Sequence, residues 1–238
     1  MRLKILSCLS VCLFLLDQPV FAAEAHNKEH GGQIFHAFIM DAEIGKSNEK
    51  STLSWDLDGW IGTDENKLWL KSETKRLKGE TEQVEFWGLY SRNLAIFWDG
   101  QIGLRHDGQP TNVEYLVLGV EGLAPYFFET KAHVFISETG DVSARFRQEV
   151  DLLITQKLIL QPQLEINLYA QDVPEQKVGT GLSQAEIGLQ ARYEFTRKFA
   201  PYVSVGYERL IGETSSIAKS NHEDNDAIVY TFGIRLMF

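Results

Sequence analysis

From Asp226 to the final residue, Ile228, Tyr230, Phe232, Ile234, Leu236 and Phe238 occupy every second position, with smaller or polar residues between them. A β-strand repeats every two residues, so these six side chains share one face. A soluble sandwich can also end on such a strand, but an alternating segment closed by a terminal Phe looks like the last strand of a bacterial outer-membrane β-barrel. Working back along the chain, about twelve segments alternate in the same way, each near the length at which a tilted strand crosses the hydrocarbon layer. They run over 34–44, 53–62, 67–77, 82–92, 96–106, 113–123, 126–137, 141–153, 157–170, 182–195, 199–211 and 226–238. The expected fold is all-β: a transmembrane antiparallel outer-membrane β-barrel of about twelve strands, an even number as bacterial barrels have.

Connection lengths give a second test, because barrels alternate short periplasmic turns with longer external loops. With the N-terminus periplasmic, the long connections 171–181 and 212–225 both fall outside. Tight turns near Ser91-Arg92-Asn93, Thr155-Gln156 and Thr196-Arg197-Lys198 fall inside, and an even barrel returns the C-terminus to the periplasm. On the strand 157–170, Leu158, Leu160, Leu164, Ile166 and Leu168 face lipid while Gln161, Gln163, Glu165 and Asn167 face a lumen. Trp55, Trp98, Tyr193, Tyr207 and Phe238 lie near strand ends, as girdle aromatics do. The competing reading is a soluble periplasmic β-sandwich or lipid-carrying barrel, against which these recurring apolar rows argue.

The opening residues carry the same address. Arg2 and Lys4 precede an apolar run from Leu9 to Leu16, and Val20-Phe21-Ala22 offers a cleavage site. That is the pattern of a secretory signal over 1–22, too short to span a bilayer. Cys8 and Cys12 both lie in it, so the processed chain is expected to have no thiol or disulfide. Residues 23–33 read as a flexible arm with Gly31-Gly32 as hinge, and 34–238 as the barrel. A formal net charge of -10 makes nucleic acid an unsuitable partner and cations a suitable one.

Taking the lumen face of each strand collects an excess of acids, among them Asp56, Asp58, Asp99, Glu121, Glu165 and Glu186. A low-dielectric wall of one excess sign concentrates the opposite ion. The alternative fate of these charges is a network of ion pairs that fills the barrel, particularly Arg145, Arg147, Glu149 and Asp151 beside Glu165. Of six histidines, His26, His30 and His36 cluster near Met40. Imidazole and thioether suit copper, and His36 and Met40 share a strand face; the arm histidines can equally be solvated residues and Met40 a packing residue. His133 falls on the lumen face with Glu129, as a metal ligand or a polar wall position.

Longer motifs then converge. Trp55-Asp56, Gly59-Trp60-Ile61-Gly62, Lys67-Leu68-Trp69-Leu70-Lys71, Leu89-Tyr90-Ser91-Arg92 and Phe97-Trp98-Asp99 occur in order. Leu118-Gly119-Val120-Glu121-Gly122-Leu123-Ala124-Pro125-Tyr126-Phe127-Phe128-Glu129, Gly140-Asp141-Val142-Ser143-Ala144-Arg145, Leu158-Ile159-Leu160-Gln161-Pro162 and Phe199-Ala200-Pro201-Tyr202-Val203 follow. Together they resemble the copper resistance protein B family from Ile34 to Phe238. The resemblance implies an outer-membrane barrel in copper tolerance and homeostasis, without enzymatic chemistry, handling copper ions and working beside a periplasmic multicopper oxidase. Relatives often carry a longer Met- and His-rich segment before the barrel.

Two other classes stay open. An outer-membrane phospholipase or protease would need a nucleophile and base, or carboxylate and histidine pairs, at one rim. His106 with Asp107, and His222 with Glu223 and Asp224, are the nearest candidates. The third reading is a structural barrel, plugged by ion pairs, that docks a periplasmic oxidase.

Overall fold

The computed structural model describes residues 33–238 except Glu49. Its strands are β1 Phe35–Ser47, β2 Lys50–Gly62, β3 Asn66–Leu77, β4 Glu80–Ala95, β5 Trp98–Gln109, β6 Val113–Ala124 and β7 Phe128–Ser137. They continue as β8 Val142–Glu149, β9 Leu152–Leu153, β10 Leu158–Tyr169, β11 Gly181–Tyr193, β12 Phe199–Leu210 and β13 Asp226–Met237. From β1 to β8 and from β10 to β13 each strand pairs antiparallel with its neighbours in sequence, and β13 returns to pair with β1 from Ile39↔Met237 to Ser47↔Val229. The sheet closes on itself through β13–β1 and β10–β11, the condition for crossing lipid with strands. Because β8 and β9 both pair with β10, the wall is twelve strands with one interrupted.

That interruption corrects the single strand expected over 141–153, and Pro162 explains it. The Pro162 carbonyl accepts from the Val150 amide at 3.3 Å, so its nitrogen points toward the same neighbour and has no hydrogen to give. Pairing stops at Glu149↔Gln163 and resumes at Leu152↔Leu160.

Other boundaries also moved. Instead of turning near Ser91-Arg92-Asn93, β4 runs on to Ala95. The Asn93 amide side chain ties the turn together by donating to the Ala95 carbonyl at 3.1 Å and to Asp99 Oδ1 at 3.1 Å. At the expected start of β7, Pro125–Phe127 forms a single 3-10 turn, with Tyr126 and Phe127 both at positive φ. Loop 212–225 contains an α-helix, α1, Gly212–Ser220. It has no apolar stripe to announce it, and its two buried residues are Thr214 and Ala218. The backbone amide of Gly179 donates to Thr214 Oγ1 at 3.0 Å, fastening α1 to the β10–β11 loop. Both long connections lie at one end, the loop end, and the start of β1 and the close of β13 lie at the other, the terminal end.

The expected face of the last strand holds. Ile228, Tyr230, Phe232, Ile234 and Phe238 are exposed on the outside, alongside Leu53, Leu70, Phe86, Ile102, Leu104, Ile187 and Val203 on other strands. A continuous apolar exterior of this kind is the lipid-facing band of an outer-membrane barrel. Near the terminal end, Tyr193, Phe195 and Phe199 pack ring to ring, as interfacial aromatics do. Facing inward instead are Trp87, Leu89, Tyr115, Val117 and Phe135, a small buried core on β4, β6 and β7.

Candidate functional site

Strand register arranges the lumen charges in two rows. In the first, Arg235, Asp41, Asp56, Glu73, Glu85 and Asp107 stand directly opposite one another from β13 through β5. In the second, Asp99 and Glu121 lead to Lys131 and Arg147, and then to Glu165, Glu186 and Glu208 on β10, β11 and β12. Like charges opposite each other across a ladder repel, so each row needs counter-charges from elsewhere.

Most of these come from across the lumen. Arg145 on β8 places two nitrogens on the Glu85 carboxylate of β4, at 3.1 and 2.9 Å. Arg105 adds a third contact to Glu85 at 2.8 Å and holds Asp107 at 2.6 and 2.5 Å. Arg147 grips Glu165 of the neighbouring β10 at 2.5 Å and, on the far wall, both oxygens of Glu73 on β3. Lys131 on β7 reaches Asp58 on β2 at 2.9 Å, and Lys71 joins Asp58 at 3.3 Å to Glu121 at 3.0 Å. Closer to the terminal end, Arg235 chelates Asp41. Among the described residues, Asp56 and Glu186 are the two acids of the rows with no ion pair.

Aromatic rings brace the cations. The Arg105 guanidinium lies 4.7 to 5.4 Å from the ring centres of Phe135, Tyr115 and Trp87, its register neighbours and the ring between them. His133 stands next to Phe135 and donates from Nε2 to Gln101 Oε1 at 2.7 Å, while Gln101 Nε2 donates to Glu121 at 3.0 Å. This bridge passes over Gly119, where a Cβ would stand 2.3 Å from the His133 ring. The wall therefore needs glycine there.

A cavity of about 740 Å³ remains, lined from Gln109 and Leu210 at the loop end to Arg197 and Met237 at the terminal end. Asp56 and Glu186 line it, with Glu43, Glu129, Glu149 and Glu208.

All six lumen acids singled out in the sequence, Asp56, Asp58, Asp99, Glu121, Glu165 and Glu186, face inward. Asp99 is held by Lys67 at 2.5 Å. Glu129, expected on the lumen face, stands opposite Glu149 and lines the cavity with Lys131, while His133 is buried and its Nε2 is engaged by Gln101. His36 and Met40 do share a face, and it is the outer one: their strand partners are Ile61 and Leu57, while Asp41 and Glu43 turn inward. Four strand residues separate them by about 13 Å, so they form no ready pair. His26 and His30 lie outside the described residues, as do the signal 1–22 and nearly all of the arm 23–33. Among the described residues, no group of three or more His, Cys, Asp or Glu is arranged to hold a metal ion. Of the rim pairs, His106 meets Glu114 on the outer face at 2.7 Å while Asp107 points inward to Arg105, so the two cannot act together. His222 stands at positive φ in the turn after α1.

Sequence reasoning missed Asp41, Glu43, Lys75 and Tyr202, and it placed Asp107 at the rim with His106 rather than on Arg105. Asp41 and Glu43 were legible: they alternate with Met40, Ala42 and Ile44. Tyr202 donates to Glu43 at 2.8 Å across Gly233, a contact that no local pattern announces.

The profile of a family described as Copper resistance protein B precursor (CopB) matches residues 34–238. Copper resistance protein B of Escherichia coli is 38% identical over 211 residues, covering 88% of this chain and 71% of that protein. A Copper resistance protein B homolog of Pseudomonas syringae pv. tomato is 37% identical over 221 residues, 92% of this chain and 75% of the relative. Among solved structures, the NanC porin superposes with a TM-score of 0.58 at 14% identity, covering 83% of this chain and 98% of that one. The KdgM porin gives 0.54 at 12% identity, with 84% and 99% covered. These two likenesses concern the barrel fold.

Proposed function

Because this chain belongs to the copper resistance protein B family, we propose that its outer-membrane barrel contributes to copper resistance by passing copper ions, as cargo, along the acid-lined cavity of its lumen. The observation that carries this reading is the pair of carboxyl groups without an ion-pair partner among the described residues, Asp56 and Glu186, on the wall of a cavity that touches both ends of the barrel. An unpaired carboxylate in a low-dielectric channel attracts a cation without trapping it, the balance conduction needs. Both termini are periplasmic in this reading. Residues 1–22 are the export signal and 23–33 an arm whose His26 and His30 meet copper at that mouth, with His36 and Met40 as separate contacts on the outer face of β1.

Reversal potentials in planar bilayers under a salt gradient test the channel. The wild-type barrel should favour cations, and Asp56→Asn with Glu186→Gln should lower that preference. An anion-selective or silent barrel would count against it. For the arm, copper titration of the processed protein should lose stoichiometry when all four side chains are removed, and unchanged binding would remove them from the account.

A second reading has its own support in the ion pairs that cross the lumen, Arg147 to Glu73 and Arg145 to Glu85. They suit a rigid barrel that docks a periplasmic multicopper oxidase. Absence of current, with copper tolerance still dependent on the protein, would favour it.

A further inference from the structure

The lumen has two unlike halves. Along β4 to β8 it is filled by Trp87, Tyr115, Phe135, Arg105 and Arg145. Along β11, β12, β13 and β1 a set of mid-strand inward positions is small: Gly188 stands opposite Gly206, and Ser204, Thr231 and Gly45 lie in successive register. Small side chains leave the space that large ones fill on the other side, so an ion moving through the barrel moves along this hollow half.

One contact spans it. Lys75, two residues from the loop end of β3, reaches Glu208, two residues from the loop end of β12, with Nζ 2.6 Å from Oε1. Between those strands stand β13, β1 and β2, so the bridge is a chord in front of the open wall rather than a contact along it. Both residues line the cavity, and Glu208 stands directly opposite the unpaired Glu186. The other cross-lumen bridges described above tie the filled side of the barrel to β2, β3 and β4. This one crosses the passage itself.

We propose that the Lys75–Glu208 pair is a latch that sets both the width and the cation selectivity of the loop-end mouth. The ammonium puts positive charge at the entrance of an acidic channel and cancels the carboxylate next to Glu186. Without Lys75 the chord is gone and Glu186 and Glu208 together face the mouth. Without Glu208 the chord is also gone, but the positive charge stays. The two losses therefore widen the mouth alike and move selectivity in opposite directions, a signature that mere loosening of the barrel does not give. This inference rests on the reading that the lumen conducts cations.

Single-channel recordings of the processed full-length barrel in planar bilayers test it, with folding of each variant checked by its heat-modifiable mobility. Lys75→Met keeps the apolar stem and drops the charge; it should raise conductance about twofold and increase cation preference. Glu208→Gln should raise conductance and decrease cation preference. Lys75→Arg should restore the wild-type values, and Lys157→Met, an exposed change in the β9–β10 turn, should leave them unchanged. A silent wild type with a conducting Lys75→Met barrel would overturn the latch as stated, because the pair would then close the lumen rather than tune its mouth. A conducting wild type whose conductance and selectivity are unmoved by Lys75→Met would overturn the latch and leave the channel reading standing. If neither protein conducts, both fall.

Discussion

Glu85 shows how a buried charge is kept in this barrel. Its side chain is 1% exposed and receives Arg145, Arg105, Gln83 and the Trp87 indole. Removing one partner from a buried ion pair strands the other, at a cost of about 3–5 kcal/mol. Arg145→Ala should therefore lower barrel stability by that order, read as earlier unfolding in a urea or heating series followed by gel mobility. Arg145→Lys should recover little, because one ammonium cannot occupy both Glu85 oxygens. Asp56→Asn, by contrast, removes a charge that has no partner, and stability should hold or rise slightly while cation selectivity falls. Which residues face the lumen was legible from the period of two. Which of them meet was not: alternation fixes a side chain's face, whereas Arg147 finds Glu73 on a strand 74 residues away through closure of the ring.

For the strands, outward faces carry the cost of misplacement. Phe232 lies mid-strand on the lipid side of β13, and an arginine there should cost about 2–4 kcal/mol if that depth is the bilayer midplane. Folding titrations into lipid vesicles would measure it. The β8–β9 gap makes a separate prediction: Pro162→Val supplies the missing amide to the Val150 carbonyl, so that new amide should be protected from exchange and the Val150 amide more strongly so, joining the two pieces. Twelve wall strands were legible because each outward row repeats the same two-residue beat. Turns were less so. Ile96 and Phe97 read as the start of a strand, yet the chain reverses there because the Asn93 side chain satisfies the turn. Helix α1 was hidden because it is held by Thr214 and one buried alanine rather than by an apolar face.

As a whole the molecule sets an apolar exterior, a filled half and a hollow acidic half around one closed sheet. Chain composition pointed to cations through its acid excess, and motif order pointed to copper through the family. The division of the lumen escaped the sequence, since it depends on which large and small inward residues become neighbours once β13 meets β1. On the proposed function, copper passes through that hollow half. The most direct test of this passage is flux into liposomes that hold a copper-quenched dye, with the purified processed barrel reconstituted in their walls. Quenching should run faster than in protein-free vesicles and slow in the Asp56→Asn, Glu186→Gln barrel. Quenching at the protein-free rate, by a barrel shown to be folded and inserted, would contradict it.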